Sequence, residues 1–212
     1  MKNAIVVGLC LLCACRGSSG DTEAEPTRTT RAEEQPTSRV QAPVAVAPEQ
    51  VSPAEFIGKL GTYAEAWAQA LPLMDDPPNN MSTGALLFSV WASAKLKWAD
   101  VSVAQNETSF AKVAKDPDAE RGKRLCASAR IIEIRKLEHA AIPKTVYFGG
   151  MFMNGFDNVG RFIAVGSTGD LVQSSVSRFC GAVVGMQSYG NSVGGVTHAV
   201  AFVGMFDLPE NR

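Results

Sequence analysis

The chain is poor in the side chains that most chemistry requires. Its 212 residues include two histidines, His139 and His198, and three tyrosines. Two histidines with Cys126 and Cys180, the two cysteines beyond residue 15, show no zinc spacing and make a poor metal site, so no metal is expected. There is no His-Glu-x-x-His string, and Gly166-x-x-Gly169 lacks the Gly-Lys-Ser that would complete a phosphate cradle. Asp116 and Asp118 flank Pro117 in a turn and read as a solvated cap. Charge of one sign is missing as well. Lys and Arg total 20 against 21 Asp and Glu, and a net charge of −1 argues against a general polyanion binder. Beyond residue 14, no apolar run approaches the ~20 residues needed to span a bilayer. The expectation is a protein without catalytic residues or cofactor, for which nucleic acid is a poor partner.

What is present starts at the amino terminus. Lys2 supplies a positive charge, Ala4 to Leu12 form a short apolar run, and the sequence turns polar at Arg16-Gly17-Ser18-Ser19-Gly20. A charged start, a short apolar core and small residues at its end are the marks of an export signal. The final residues, Leu12-Cys13-Ala14-Cys15, resemble the lipobox of bacterial lipoproteins. That resemblance implies diacylglycerol on the Cys15 thiol, cleavage just before it, and a lipid membrane as the first partner. Two or three acyl chains hold durably where one alone is marginal. Arg16 is not the Asp that retains such proteins in the inner membrane, so the outer membrane is favoured. An ordinary secretory signal with a cysteine at its end is the alternative.

The segments follow from composition. Residues 1–14 are the signal. Residues 15–50, rich in Thr, Glu, Pro, Ala and Arg, bury too little apolar surface to order and read as a tether. Residues 51–107 read as a helical hairpin. Ser52-Pro53-Ala54-Glu55 is a capping box, and Phe56, Leu60, Tyr63, Ala64, Trp67 and Leu71 form one stripe that ends at Pro72. A second helix from Ser82 or Thr83 places Leu87, Val90, Trp91, Ala94 and Trp98 on one face.

From Arg121, runs of Val, Ile, Phe and Tyr alternate with Gly, Asn and Ser. Five strands are predicted, over 123–136, 145–153, 159–166, 177–189 and 197–206. In the first, Leu125, Ala127, Ala129 and Ile131 share a face while Ile132 and Ile134 do not, which predicts a bulge. Gly190-Asn191-Ser192-Val193-Gly194-Gly195 reads as the loop between the last two strands.

After cleavage and lipidation only Cys126 and Cys180 remain, in a compartment that permits disulfides. A bridge would close a loop of about 54 residues, worth roughly 4 kcal/mol by chain entropy. Two buried free thiols are the alternative.

The stretch Phe110 to Ile131, with Asp116-Pro117-Asp118 and Gly122-Lys123 before the first strand, resembles the opening of OB-fold domains in secreted bacterial lipoproteins. Phe179-Cys180-Gly181-Ala182-Val183-Val184-Gly185, then Ser188-Tyr189 and a strand carrying Ala199 and Ala201, is similar to their closing pattern. The likeness covers roughly residues 108–208 and departs at Ala129, where glycine is usual. It implies an α+β protein in which an N-terminal helical hairpin precedes a five-stranded, OB-fold-like antiparallel β-barrel over residues 108–212. In that fold the first strand pairs with the fourth, so a Cys126–Cys180 bridge would sit at the barrel's closure.

Such barrels bind ligands across strands two and three. There Tyr147, Phe156 and Arg161 stand near strand ends and form the candidate ligand face. The expected function is a non-catalytic binding or assembly module at the cell envelope, for a peptide, glycan or protein partner. The alternative is an envelope enzyme or enzyme inhibitor whose site forms no motif.

Overall fold

A computed structural model of the chain describes residues 51–138, 147–190 and 194–212. The expected signal, Cys15, the tether, His139 and the loop residues Asn191 to Val193 lie outside the described residues.

Helix α1, Pro53–Gly58, starts where the capping box predicts, with Ser52 Oγ accepting from the Glu55 amide at 3.2 Å. The expected single helix from there to Pro72 is broken. Thr62 caps a new helix, α2 (Tyr63–Ala70), in a reciprocal box with Glu65. The Thr62 hydroxyl accepts from the Glu65 amide, and the Glu65 carboxylate accepts from the Thr62 amide. A cap of this kind is satisfied only where the backbone leaves the helix, so the apolar stripe continues through a break. Ser82 caps α3 (Thr83–Lys95) through the Ala85 amide. Helix α3 is buried all round from Gly84 to Ala92 rather than along one stripe, and Trp98 belongs to a separate turn, α4 (Trp98–Val101). The two-helix hairpin is therefore replaced by α1 and α2 packed on a central α3. Two short helices, α5 (Phe110–Lys115) and α6 (Pro117–Glu120), precede the strands.

The strands are β1 (Arg124–Leu137), β2 (Tyr147–Asn154), β3 (Asn158–Ala164), β4 (Val176–Gly190) and β5 (Val196–Phe206). They form one closed sheet in the order β1-β2-β3-β5-β4, with β4 returning to β1. One pairing corrects the all-antiparallel expectation: β3 and β5 run parallel. The connection over 165–175 carries the chain across to β4, beside β1, and the β4–β5 hairpin then returns it alongside β3 in the same direction.

Strand β1 serves two neighbours. Arg124 to Arg130 pair with β4, Arg130 to Leu137 pair with β2, and the register shifts between Ile131 and Glu133. Ile132 is the extra residue, at 37 % exposure, while Leu125, Ala127, Ala129 and Ile131 are buried. This is the predicted phase change. Gly150, paired with Ile134 just beyond the bulge, lies so close to the Glu133 carbonyl that no β-carbon fits. A second bulge lies in β4 between Val183 and Gly185, where Gly185 has φ 144°, a region that favours glycine. Asp76 accepts there from the Met186 amide at 2.9 Å and pairs with Arg121 at 2.8 Å, and Arg121 donates to the Val184 carbonyl at 3.1 Å.

Two cores result. Inside the closed sheet Phe152, Phe162, Phe179, Phe202 and Phe206 pack with ring centroids 4.9–6.1 Å apart. Val113 and Phe110 of α5 join this core, Phe110 lying 5.9 Å from Phe202. The second core joins α1–α4 to the outside of β3, β5 and β4 through Ile163, Val203, Ala201, Ala182 and Val184. Cys126 and Cys180 face each other in the β1–β4 register with their sulfurs bonded at 2.03 Å. The expected disulfide thus lies at the closure of the sheet.

Candidate functional site

The helix layer covers only part of the sheet's outer surface. On β3, alternation turns Ile163 and Arg161 outward. Ile163 is sealed under the helices, and Arg161, two residues earlier, lies at their margin. Arg161 pairs across to Met151 on β2, and Met151 to Glu133 on β1. Glu133, Arg135, Leu137, Gly149 and Arg161, with Met81 at one side, line a notch of about 20 Å³. The bulge at Ile132 sets Glu133 and Arg135 on the outer face, and Gly149 leaves the floor as bare backbone.

Electrostatics distinguishes the two arginines. Arg135 Nε lies 3.0 Å from Glu133 Oε1, an exposed pair. The Arg161 side chain is half-buried and makes no ion pair or hydrogen bond with the described residues. Burial holds its guanidinium below the ordinary arginine range. Glu133 pulls in the other direction, and Arg135 adds to the burial effect. Tyr189 on β4 lies within electrostatic reach of Arg161, and burial raises its hydroxyl pKa. The notch therefore presents a partly desolvated cation whose nearest acid is already engaged.

The three residues expected to form a ligand face separate. Tyr147 is a correction. It is 1 % exposed, packs in the core with the helices, and its hydroxyl lies 3.0 Å from Ser93 Oγ of α3. Its outward position on β2 falls where the helix layer covers the sheet, so it is core. Phe156 is 95 % exposed at the β2–β3 turn and does not line the notch. Arg161 alone stands in it. Glu133, Arg135, Gly149 and Tyr189 were missed. The alternation in β1 places Glu133 and Arg135 on one face, but their meeting with Arg161 depends on cross-strand register, which local sequence does not carry.

The residues weighed for catalysis are placed as follows. Asp116 Oδ1 caps α6 through the Ala119 amide at 3.0 Å, and Asp118 pairs with Arg121. His198 sits directly across from Ser188 on β4, its Nδ1 2.9 Å from Ser188 Oγ. His198 is exposed, and no acid among the described residues bonds it. Gly190-Asn191-Ser192-Val193-Gly194, between the last two strands, has Gly-x-Ser-x-Gly spacing. It joins two antiparallel strands, however, and not the strand and helix that expose a nucleophile in that motif. Among the described residues no group of three or more His, Cys, Asp or Glu could hold a metal, and no helix is long and apolar enough to cross a membrane.

Compared with known proteins, the chain matches no family model, no curated protein and no solved structure.

Proposed function

We propose that the chain is an exported lipoprotein, held to the outer membrane by acyl chains on Cys15, whose OB-fold-like barrel is a non-catalytic binding or assembly module for an envelope peptide, glycan or protein. The closed order β1-β2-β3-β5-β4, with parallel β3 and β5 and a long, bulged β1, supports the OB-fold reading. Such barrels use the face of strands two and three, where the notch lies. The observation that carries the binding reading is Arg161, a half-buried cation without a partner among the described residues, on a face that the helices leave bare. A partly desolvated charge costs stability unless something pairs with it, and a ligand bearing an acceptor group supplies that pair.

Crosslinking in intact cells followed by pull-down tests this. An envelope partner should be recovered with the wild-type chain and lost with Arg161→Ala; recovery of none, or equal recovery with both, ends the reading. Cys15→Ser should release the protein from membranes, and unchanged partitioning would sink the anchor. The Ser188–His198 contact favours a second reading, an envelope enzyme. Labelling of Ser188 or Ser192 by a serine-reactive fluorophosphonate, lost on substitution to Ala, would establish it; no labelling leaves the pair a cross-strand contact.

A further inference from the structure

The outer edge of β1 has a gap of one residue. Along its first half, odd-numbered residues bond to β4 or to the turn before it. Val183 N donates to Lys123 O, Ile131 N to Ser175 O, and Ser174 N to Ile131 O. Even-numbered residues therefore turn their N–H and C=O away from β4. Most of these are already held. Glu107 N donates to Arg124 O at 3.1 Å, and Arg124 N donates to Glu107 Oε2 at 2.7 Å. Cys126 N donates to Asn106 Oδ1 at 2.8 Å, and Asn106 Nδ2 donates back to Cys126 O at 3.1 Å. From Arg130 onward, β2 occupies this side. Ser128 lies between the two coverings, exposed, and no described residue bonds its outward backbone groups.

The neighbouring staple shows what this edge accepts. A carboxamide carries the donor and acceptor of a peptide group, so Asn106 meets Cys126 as a residue of an added strand would. Beside Ser128 a cleft of about 360 Å³ opens, lined by Val103, Asn106, Cys126, Ser128 and Arg178. That volume is at the lower end of the range for ligand sites, about 300–1,000 Å³. Arg178 pairs with Ser128 in the β1–β4 register, and its guanidinium is exposed, donating to the Val103 carbonyl at 3.0 Å without a carboxylate among the described residues.

We infer that this cleft is a docking site for an extended peptide, one residue of which exchanges both backbone bonds with Ser128 while an acidic side chain meets Arg178. Strand edges with free backbone groups recruit extended segments in this way. The site is separate from the Arg161 notch, and its fate does not depend on that reading. Five of its features follow from backbone direction and charge: a free donor, a free acceptor, a peptide-like staple, a cleft and an unpaired cation. A glycan uses the first two without needing an acid, which makes the acid a discriminating requirement.

The test pans a display library of random ten-residue peptides on the purified chain and examines the strongest binder. Binders should be rich in Asp or Glu, and the chosen peptide should slow hydrogen exchange at the Ser128 amide at least tenfold. Ser128→Pro removes the outward N–H and spares the β4 ladder, as proline at a strand edge does. It should weaken binding at least tenfold, as should methylating alternate amides of the peptide, which leaves the protein untouched. Arg178→Glu should reverse the preference towards Lys-bearing peptides. Recovery of no binder, binders indifferent to both substitutions, protection of Gly149 and Arg161 amides in place of Ser128, or capture of oligosaccharides alone at this cleft would each overturn the inference.

Discussion

Ile163 and Arg161 lie two residues apart on the same strand and point from the same face of the sheet, yet the protein treats them oppositely. Ile163 is fully buried beneath the helix layer, in a core that includes Val203, Val184 and Tyr147. Arg161 stands at the margin of that layer beside a bare glycine floor. The closed sheet supplies both outward positions by alternation; the helices decide which becomes core. A surface that a fold has the means to cover and leaves open is better evidence of use than an exposed residue on an edge or turn, such as Phe156.

The comparison breaks most violently if the two residues are made alike. Ile163→Arg places a guanidinium at a fully buried position in the core shared with the helices, at the wall of the notch that already holds Arg161. The expected cost is about 4 kcal/mol or more, enough to unfold a marginal domain, and urea melts should show no cooperative folded baseline. Survival with a midpoint close to wild type would mean that the helix layer lifts easily from the sheet, and that the covered and bare halves differ little.

The next effect tests the closure of the sheet, which both halves share. Replacing Cys126 and Cys180 together by Ala removes the cross-link between β1 and β4. With a sequence separation of 54, the loss should be roughly 2–4 kcal/mol, read as a lower urea midpoint with a similar slope. A smaller loss would assign the closure to the phenylalanine interior alone.

A third expectation concerns the covered half under alkali. Tyr63 on α2 packs against Trp67, Phe88 and Trp91 and donates to the Gly122 carbonyl at 3.3 Å. Burial pushes its pKa up from 10.0 to about 12, with Arg124 pulling it back. Because the folded value lies above the unfolded one, the neutral hydroxyl contributes stability that is fully present below pH 10. That contribution is lost as the pH rises from 10 to about 12. Tyr63→Phe should flatten the decline of the urea midpoint across this window, and an unchanged decline would remove Tyr63 as its cause.

Much of the scaffold was legible because its signals are local. Alternation and turn residues placed all five strands within two residues of their bounds, and the β1 bulge appeared as Ile132 and Ile134 falling out of phase. The pairing of Cys126 with Cys180 was expected because they are the two cysteines beyond the lipobox-like segment, and their sulfurs are bonded. The break before α2 was present in Thr62 and Glu65 but masked by an apolar stripe that runs through it. Helix periodicity reports which side is buried, not whether the backbone is continuous. Tyr147 failed for a related reason: alternation assigns a face, and only the packing of α3 determines that this stretch of the face is covered. The parallel β3–β5 pair and the meeting of Arg161 with Glu133 depend on strand order and register, which are properties of the closed sheet.

The smallest expected effect is the most telling for function. Arg161→Met keeps the length of the side chain and removes the charge. If Arg161 were structural, the substitution would strip an interaction and lower stability. With no side-chain bond to the described residues and a guanidinium held below its ordinary pKa chiefly by burial, it instead removes a desolvation penalty. The urea midpoint should therefore stay level or rise slightly, by about 0–1 kcal/mol, while the proposed capture of an envelope partner should be lost. A loss of stability above about 1 kcal/mol would show that the arginine holds the sheet together, and the open half of the comparison would then be scaffold like the covered half.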